Sequence, residues 1–167
     1  QDPAGSKRNS FDEILLKGEF FAMLSKFNPW INEEQKEYCY NKITGICKPL
    51  IDANRYVHNL LLKGIPLQTK NEQTGEDNPT VKLIDFTHYE CNSFIAINQF
   101  RVNTNNTKAF IIPDIVCFVN GIPLIVIECK DEIVSEPLSE AYLQIQRYSN
   151  RRTFNDPFAD GIEEGCE

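Results

Sequence analysis

The sequence predicts an α/β or α+β domain built on a single sheet, and three observations carry that prediction. Up to residue 63, apolar residues recur at three- and four-residue spacing in successive segments. After Gly64 the texture changes to short β-branched runs separated by polar, Gly- and Pro-containing loops. Residues 138–150 then return to helical spacing.

The elements follow in order. Residues 11–27 (FDEILLKGEFFAMLSKF) predict a first helix, ended by Asn28-Pro29. Asn32, with Gln35 three positions on, resembles a capping box and starts a second helix over about 33–46. Leu50–Lys63 is a third, stopped by Gly64 and Pro66. Its Arg55 and His58 read as solvated surface residues. Residues 71–79 form a polar loop between two strands, and 80–86 and 94–102 follow as strands before the loop 103–108. The sequence then reaches its centre, FIIPDIVCFVNGIPLIVIECK (110–130), whose runs Ile115–Val119 and Leu124–Ile127 flank Asn120-Gly121-Ile122-Pro123. Runs of this kind around Asn-Gly predict a hairpin, and their unbroken hydrophobicity predicts strands covered on both faces. An acidic loop, 131–137, leads to the last helix.

Bulk properties set limits. A length of 167 residues suits one domain with a sizeable core. Residues 1–10 are set aside as a tag or disordered leader, because QDPAGS looks like an expression scar or a cut, leaving 11–167 as a single domain. No apolar run suits a membrane span and no secretory pattern is present, so the expected setting is cytoplasmic, with reduced thiols and no membrane partner. The six cysteines show no zinc spacing, and Cys117 and Cys129 fall within the apolar runs as small hydrophobes. A net charge of −7 argues against a protein whose main task is gripping phosphates through a basic surface.

The central hairpin also carries charge. Asp114 starts its first strand, and Glu128 and Lys130, which share a face, end its second. Converging charges on an apolar scaffold are costly unless they pair or bind an ion. A two-residue Asn120-Gly121 loop would pair 119 with 122 and turn Asp114 away from Glu128. A three-residue connection or a bulge would set the two carboxylates opposite one another, about 5 Å apart at Cβ. The metal-site interpretation therefore predicts an odd connection. Carboxylate oxygens select Mg²⁺ or Mn²⁺, such an ion polarises a phosphate and activates water, and a lysine stabilises the developing charge. The plain alternative is a charged strand end making a surface ion pair.

The stretch 113–130, PDIVCFVNGIPLIVIECK, resembles the nuclease domain of the R (restriction and translocation) subunit of type I restriction enzymes. LLLKGIPL (60–67), VKLIDF (81–86), IAINQF (95–100) and the helix with Gln144-x-x-x-Tyr148 extend the resemblance over most of residues 50–150. It implies the PD-(D/E)xK superfamily, with a restriction-endonuclease-like mixed β-sheet flanked by helices. It implies Asp114, Glu128 and Lys130 as catalytic residues, and Asp114, Glu128 and the main-chain carbonyl of Cys129 as ligands of Mg²⁺ or Mn²⁺. Gln144 and Tyr148 would support the active site or DNA. Arg147, with Arg151 and Arg152, either meets phosphate or complements the helix dipole. One of Glu33, Glu34 and Glu37 would complete the site. The implied partners are double-stranded DNA and the methyltransferase (M) and specificity (S) subunits. No G-x-x-x-x-G-K-[ST] loop occurs, so ATP would be a cofactor of the full-length protein only. Two other classes are a docking module that keeps the fold without catalysis and a relative acting on RNA or single strands. No aromatic stacking platform supports the latter.

Overall fold

The computed structural model describes residues 3–103, 110–130 and 136–148, with side chains up to Gln146 in the last segment. The chain divides into two compact units, residues 1–126 and 127–167. Among the described residues, helices α1 (Lys17–Phe27), α2 (Glu33–Thr44) and α3 (Leu50–Lys63) precede seven short strands, and α4 (Pro137–Tyr148) follows them. The α/β class expected from the sequence is the one observed.

Local chemistry explains most boundaries. The capping box forms as predicted, with the Gln35 N–H donating to Asn32 Oδ1 at 2.8 Å and the Asn32 N–H to Gln35 Oε1 at 3.0 Å. Helix α3 ends at Gly64, where φ is 79°; a Cβ there would lie 2.5 Å from the Val81 carbonyl oxygen. Helix α1 is shorter than predicted, because the backbone just before it is used elsewhere. The Leu16 N–H donates to the Gly121 carbonyl at 2.9 Å, and the Phe11 carbonyl accepts from the Asn103 N–H at 3.1 Å.

Strands β1 (Ile65–Pro66) and β2 (Thr80–Val81) pair antiparallel around the polar 71–79 loop. Strand β2 stops well before residue 86. Beyond Val81 a side chain takes over from a strand partner: Asn28 accepts from the Lys82 N–H at 2.8 Å and donates to its carbonyl at 2.9 Å. Strand β3 (Phe94–Asn98) pairs with β6 (Ile115–Val119), from Phe94 opposite Val119 to Asn98 opposite Ile115. With β7 (Ile122–Ile127) they make a sheet in the order β3-β6-β7. The predicted strand 94–102 is broken at Gln99, whose φ is 52°, and resumes as β4 (Val102–Asn103), which pairs with β5 (Phe110–Ile111).

The main core joins Leu15, Phe20 and Leu24 to Ile31, Cys39 and Ile43 of the α2 region and to Ile65, Val81, Leu83 and Ile122. A second cluster holds Leu16, Phe100, Val116 and Phe118, with the Phe100 and Phe118 rings edge to face at 5.0 Å. Burial lifts the Cys39 thiol pKa to about 12, so it is an inert core residue. Cys39, Cys47, Cys91, Cys117 and Cys129 are all free thiols. Cys129 is exposed and lies past the end of β7, not within an apolar strand.

Two further expectations are corrected. The leader is not structureless from residue 3 onward: Pro3–Ser6 forms a 3-10 turn, and Arg8 is 4% exposed. The Arg8 guanidinium donates to the carbonyls of Glu13 and Arg101, each at 2.8 Å, and lies 3.7 Å from the centre of the Phe100 ring. Burial lowers its pKa. The run Leu124–Ile127 is not covered on both faces, since its four side chains are 42% to 56% exposed. Among the described residues no helix is long and apolar enough to cross a membrane.

Candidate active site

The turn of the central hairpin contains two residues, Asn120 and Gly121, with φ of 53° and 80°. Two consecutive left-handed residues are what a type I′ turn requires, and its twist matches that of the flanking strands. The predicted odd-length connection is therefore wrong. The length of the turn removes the support that an odd-length connection would have lent to the metal-site interpretation.

The turn itself is embedded. Asn120 is 1% exposed; its amide donates to the Leu83 carbonyl at 2.9 Å and to Asn92 Oδ1 at 2.8 Å. Its Oδ1 accepts from the Ser93 N–H at 2.8 Å. A Cβ on Gly121 would lie 2.7 Å from both Leu16 O and Phe20 N, so the turn presses against the start of α1. Asp85 extends this network. Its Oδ1 accepts from the Thr87 and His88 N–H groups and its Oδ2 from Lys82 Nζ at 2.8 Å. The Lys82 ammonium, then the His88 N–H, hold its carboxyl well below the usual carboxylate range.

At the opposite end of β6, Asp114 stands just before the first strand residue, half-buried, next to buried Pro113. It is held from the β3–β4 connection. The Gln99 N–H donates to the Asp114 carbonyl at 2.7 Å, the Gln99 amide donates to Asp114 Oδ1 at 3.1 Å, and the Phe100 N–H donates to the Pro113 carbonyl at 3.1 Å.

In the second unit, Glu128 has both carboxylate oxygens buried without a hydrogen-bond partner. An ionised carboxylate in that state is costly unless a cation or donor completes it. Lys130 Nζ donates to Gln144 Oε1 on α4, so the predicted lysine and the predicted glutamine are in contact. The side chains of Arg147 and Tyr148, and the whole of Arg151 and Arg152, lie outside the described residues.

Of the early acids, Glu33 is engaged by Lys36 at 2.7 Å and Glu37 by Lys17 at 2.6 Å, while Glu34 is exposed. Among the described residues no three His, Cys, Asp or Glu side chains form a group that could hold a metal. The predicted donor set is not of that kind, since it comprises two carboxylates and a main-chain carbonyl. The orphaned oxygens of Glu128 fit a hard divalent cation. A groove of about 490 Å³ lies elsewhere, lined by Tyr38, Lys42, Lys48 and Tyr56 among others. None of the predicted site residues borders it. Sequence reasoning missed Gln99, for which the only signal was its place in the IAINQF stretch.

These features define an α/β chain whose central hairpin carries a Pro-Asp before one strand and a Glu-x-Lys after the next. The chain belongs to the family described as type I restriction enzyme R protein N terminus, which matches residues 1–160. It is 31% identical over 155 residues to the type I restriction enzyme HindI endonuclease subunit of Haemophilus influenzae, covering 92% of this chain and 14% of that protein. It is 32% identical over 143 residues to the protein named "Putative type I restriction enzyme MjaIXP endonuclease subunit" of Methanocaldococcus jannaschii, covering 84% of this chain and again 14% of the relative. The chain thus spans about one seventh of the length of each of these relatives. No solved structure matches it.

Proposed function

We propose that this chain is the metal-dependent nuclease domain of a type I restriction enzyme R protein, hydrolysing phosphodiester bonds of double-stranded DNA. The observation that supports it best is the pair of buried, unpartnered oxygens on Glu128, the predicted ligand position. Asp114, Glu128 and the Cys129 main-chain carbonyl would hold Mg²⁺ or Mn²⁺. When bound, the ion would act as a Lewis acid toward phosphate and lower the pKa of water. Lys130 would stabilise charge developing on the phosphoryl group, and Gln144, which accepts from the Lys130 ammonium, would orient that ammonium. Arg147 and Tyr148 would contact the DNA. ATP, the M and S subunits and a cytoplasmic setting belong to the longer protein in this proposal.

The test is plasmid cleavage by the full-length R protein assembled with its M and S subunits. Asp114→Ala and Lys130→Ala are expected to reduce cleavage to background while ATP hydrolysis continues. Cleavage at the wild-type rate by either variant would reject the assignment. A second class, a non-catalytic docking module, draws support from the exposed apolar run Leu124–Ile127. A wild-type protein that neither binds Mn²⁺ nor cuts would favour it.

A further inference from the structure

We infer that Gln99 is a positioning residue for Asp114, and that it tunes the affinity of the site for a divalent cation. This deepens the nuclease reading and rests on it.

The backbone supplies the first reason. Gln99 has φ of 52°, a left-handed conformation that Gly and Asn adopt readily and that glutamine seldom does. Such outliers persist where surrounding structure holds them, and they gather at functional sites. Here the conformation interrupts the strand after Asn98, the last residue paired with β6. It also turns one residue's donors onto one target: the main-chain N–H reaches the Asp114 carbonyl at 2.7 Å and the side-chain amide reaches Asp114 Oδ1 at 3.1 Å. Gln99 is itself exposed, so its burial does not account for the choice of residue.

The chemistry of the contact supplies the second reason. A carboxylate that binds a metal works best with its rotamer fixed by an outer donor. An amide fixes it without adding charge. Lysine or arginine at the same place would cancel the negative charge that attracts the cation. Glutamine is thus the kind of donor that orients Asp114 and leaves its charge available to an ion.

Backbone and side-chain roles can be separated. Gln99→Gly favours the left-handed conformation and keeps the main-chain bond while removing the amide. Gln99→Met keeps the length of the side chain and loses its donor. Mn²⁺ would be titrated calorimetrically into the wild-type chain, both variants and Asp114→Ala, with thermal unfolding of each. The expected result is weaker Mn²⁺ binding by roughly 10- to 100-fold in both Gln99 variants, with the Gly variant's midpoint unchanged or raised. If Asp114→Ala loses binding while Gln99→Gly and Gln99→Met bind within about twofold of wild type, the positioning role is overturned and the metal site stands. If the wild type does not bind Mn²⁺, or Asp114→Ala binds as well as wild type, the site reading fails and Gln99's role fails with it.

Discussion

The two ends of strand β6 use the same backbone device for different purposes. At the turn end Asn120 adopts φ of 53°, and at the open end Gln99, bonded to Asp114, adopts 52°. Asparagine tolerates this conformation and Asn120 is buried, with its side chain bonded to Leu83, Asn92 and Ser93. Glutamine tolerates it less well, is exposed, and donates its main-chain N–H to the Asp114 carbonyl and its side-chain amide to the half-buried Asp114 carboxylate. The turn end is a structural fastening whose polar groups are satisfied within the fold. The open end holds Asp114 through two donors of one exposed residue.

Substitutions should separate the two ends. The largest loss of stability is expected for Gly121→Ala, where a positive φ coincides with a Cβ 2.7 Å from both the Leu16 carbonyl oxygen and the Phe20 nitrogen. Denaturant unfolding should show a loss of about 4 kcal/mol. Asn120→Ala should cost about 2 kcal/mol, since it strands the buried Leu83 carbonyl and the Ser93 N–H. Equal stability of either variant and wild type would dissolve the contrast from the turn side.

Asp85 tests the network beneath the turn by pH. Its pKa is depressed in the folded state, so its stabilisation is complete above the unfolded value, about 3.9. It is lost as pH falls below that value and through the folded one. The gap in melting temperature between wild type and Asp85→Ala should be widest near neutrality and should narrow below about pH 4. A gap that widens on acidification would contradict the role of Lys82 and the backbone amides. The smallest effect on stability belongs to the open end: Gln99→Gly should leave the unfolding midpoint unchanged or slightly higher.

Much of this was legible in the sequence, and what was not has physical causes. The capping box at Asn32 and the stop at Gly64 are local, so spacing and residue type sufficed. The ends of α1 and β2 were misjudged because distant groups, Gly121 O and the Asn28 side chain, claim their backbone. The Asn120-Gly121 pair announced a type I′ turn. The odd-length connection was expected only because it would have opposed the two carboxylates. The exposure of Leu124–Ile127 could not be read from hydrophobicity, which reports what a strand prefers and not what covers it. The Asp, Glu and Lys of the candidate site were legible as a motif. Gln99 was not, because glutamine carries no signature for a left-handed position.

The central claim is that Glu128 is kept for a cation, and the sharpest test joins stability to binding in one variant. Glu128→Gln removes a charge whose buried oxygens lack partners. Without metal the variant should unfold at a higher temperature than wild type, by the equivalent of about 1 kcal/mol. Mn²⁺ should stabilise the wild type and leave the variant unmoved. A variant that is less stable without metal, yet gains as much from Mn²⁺ as the wild type, would contradict the account.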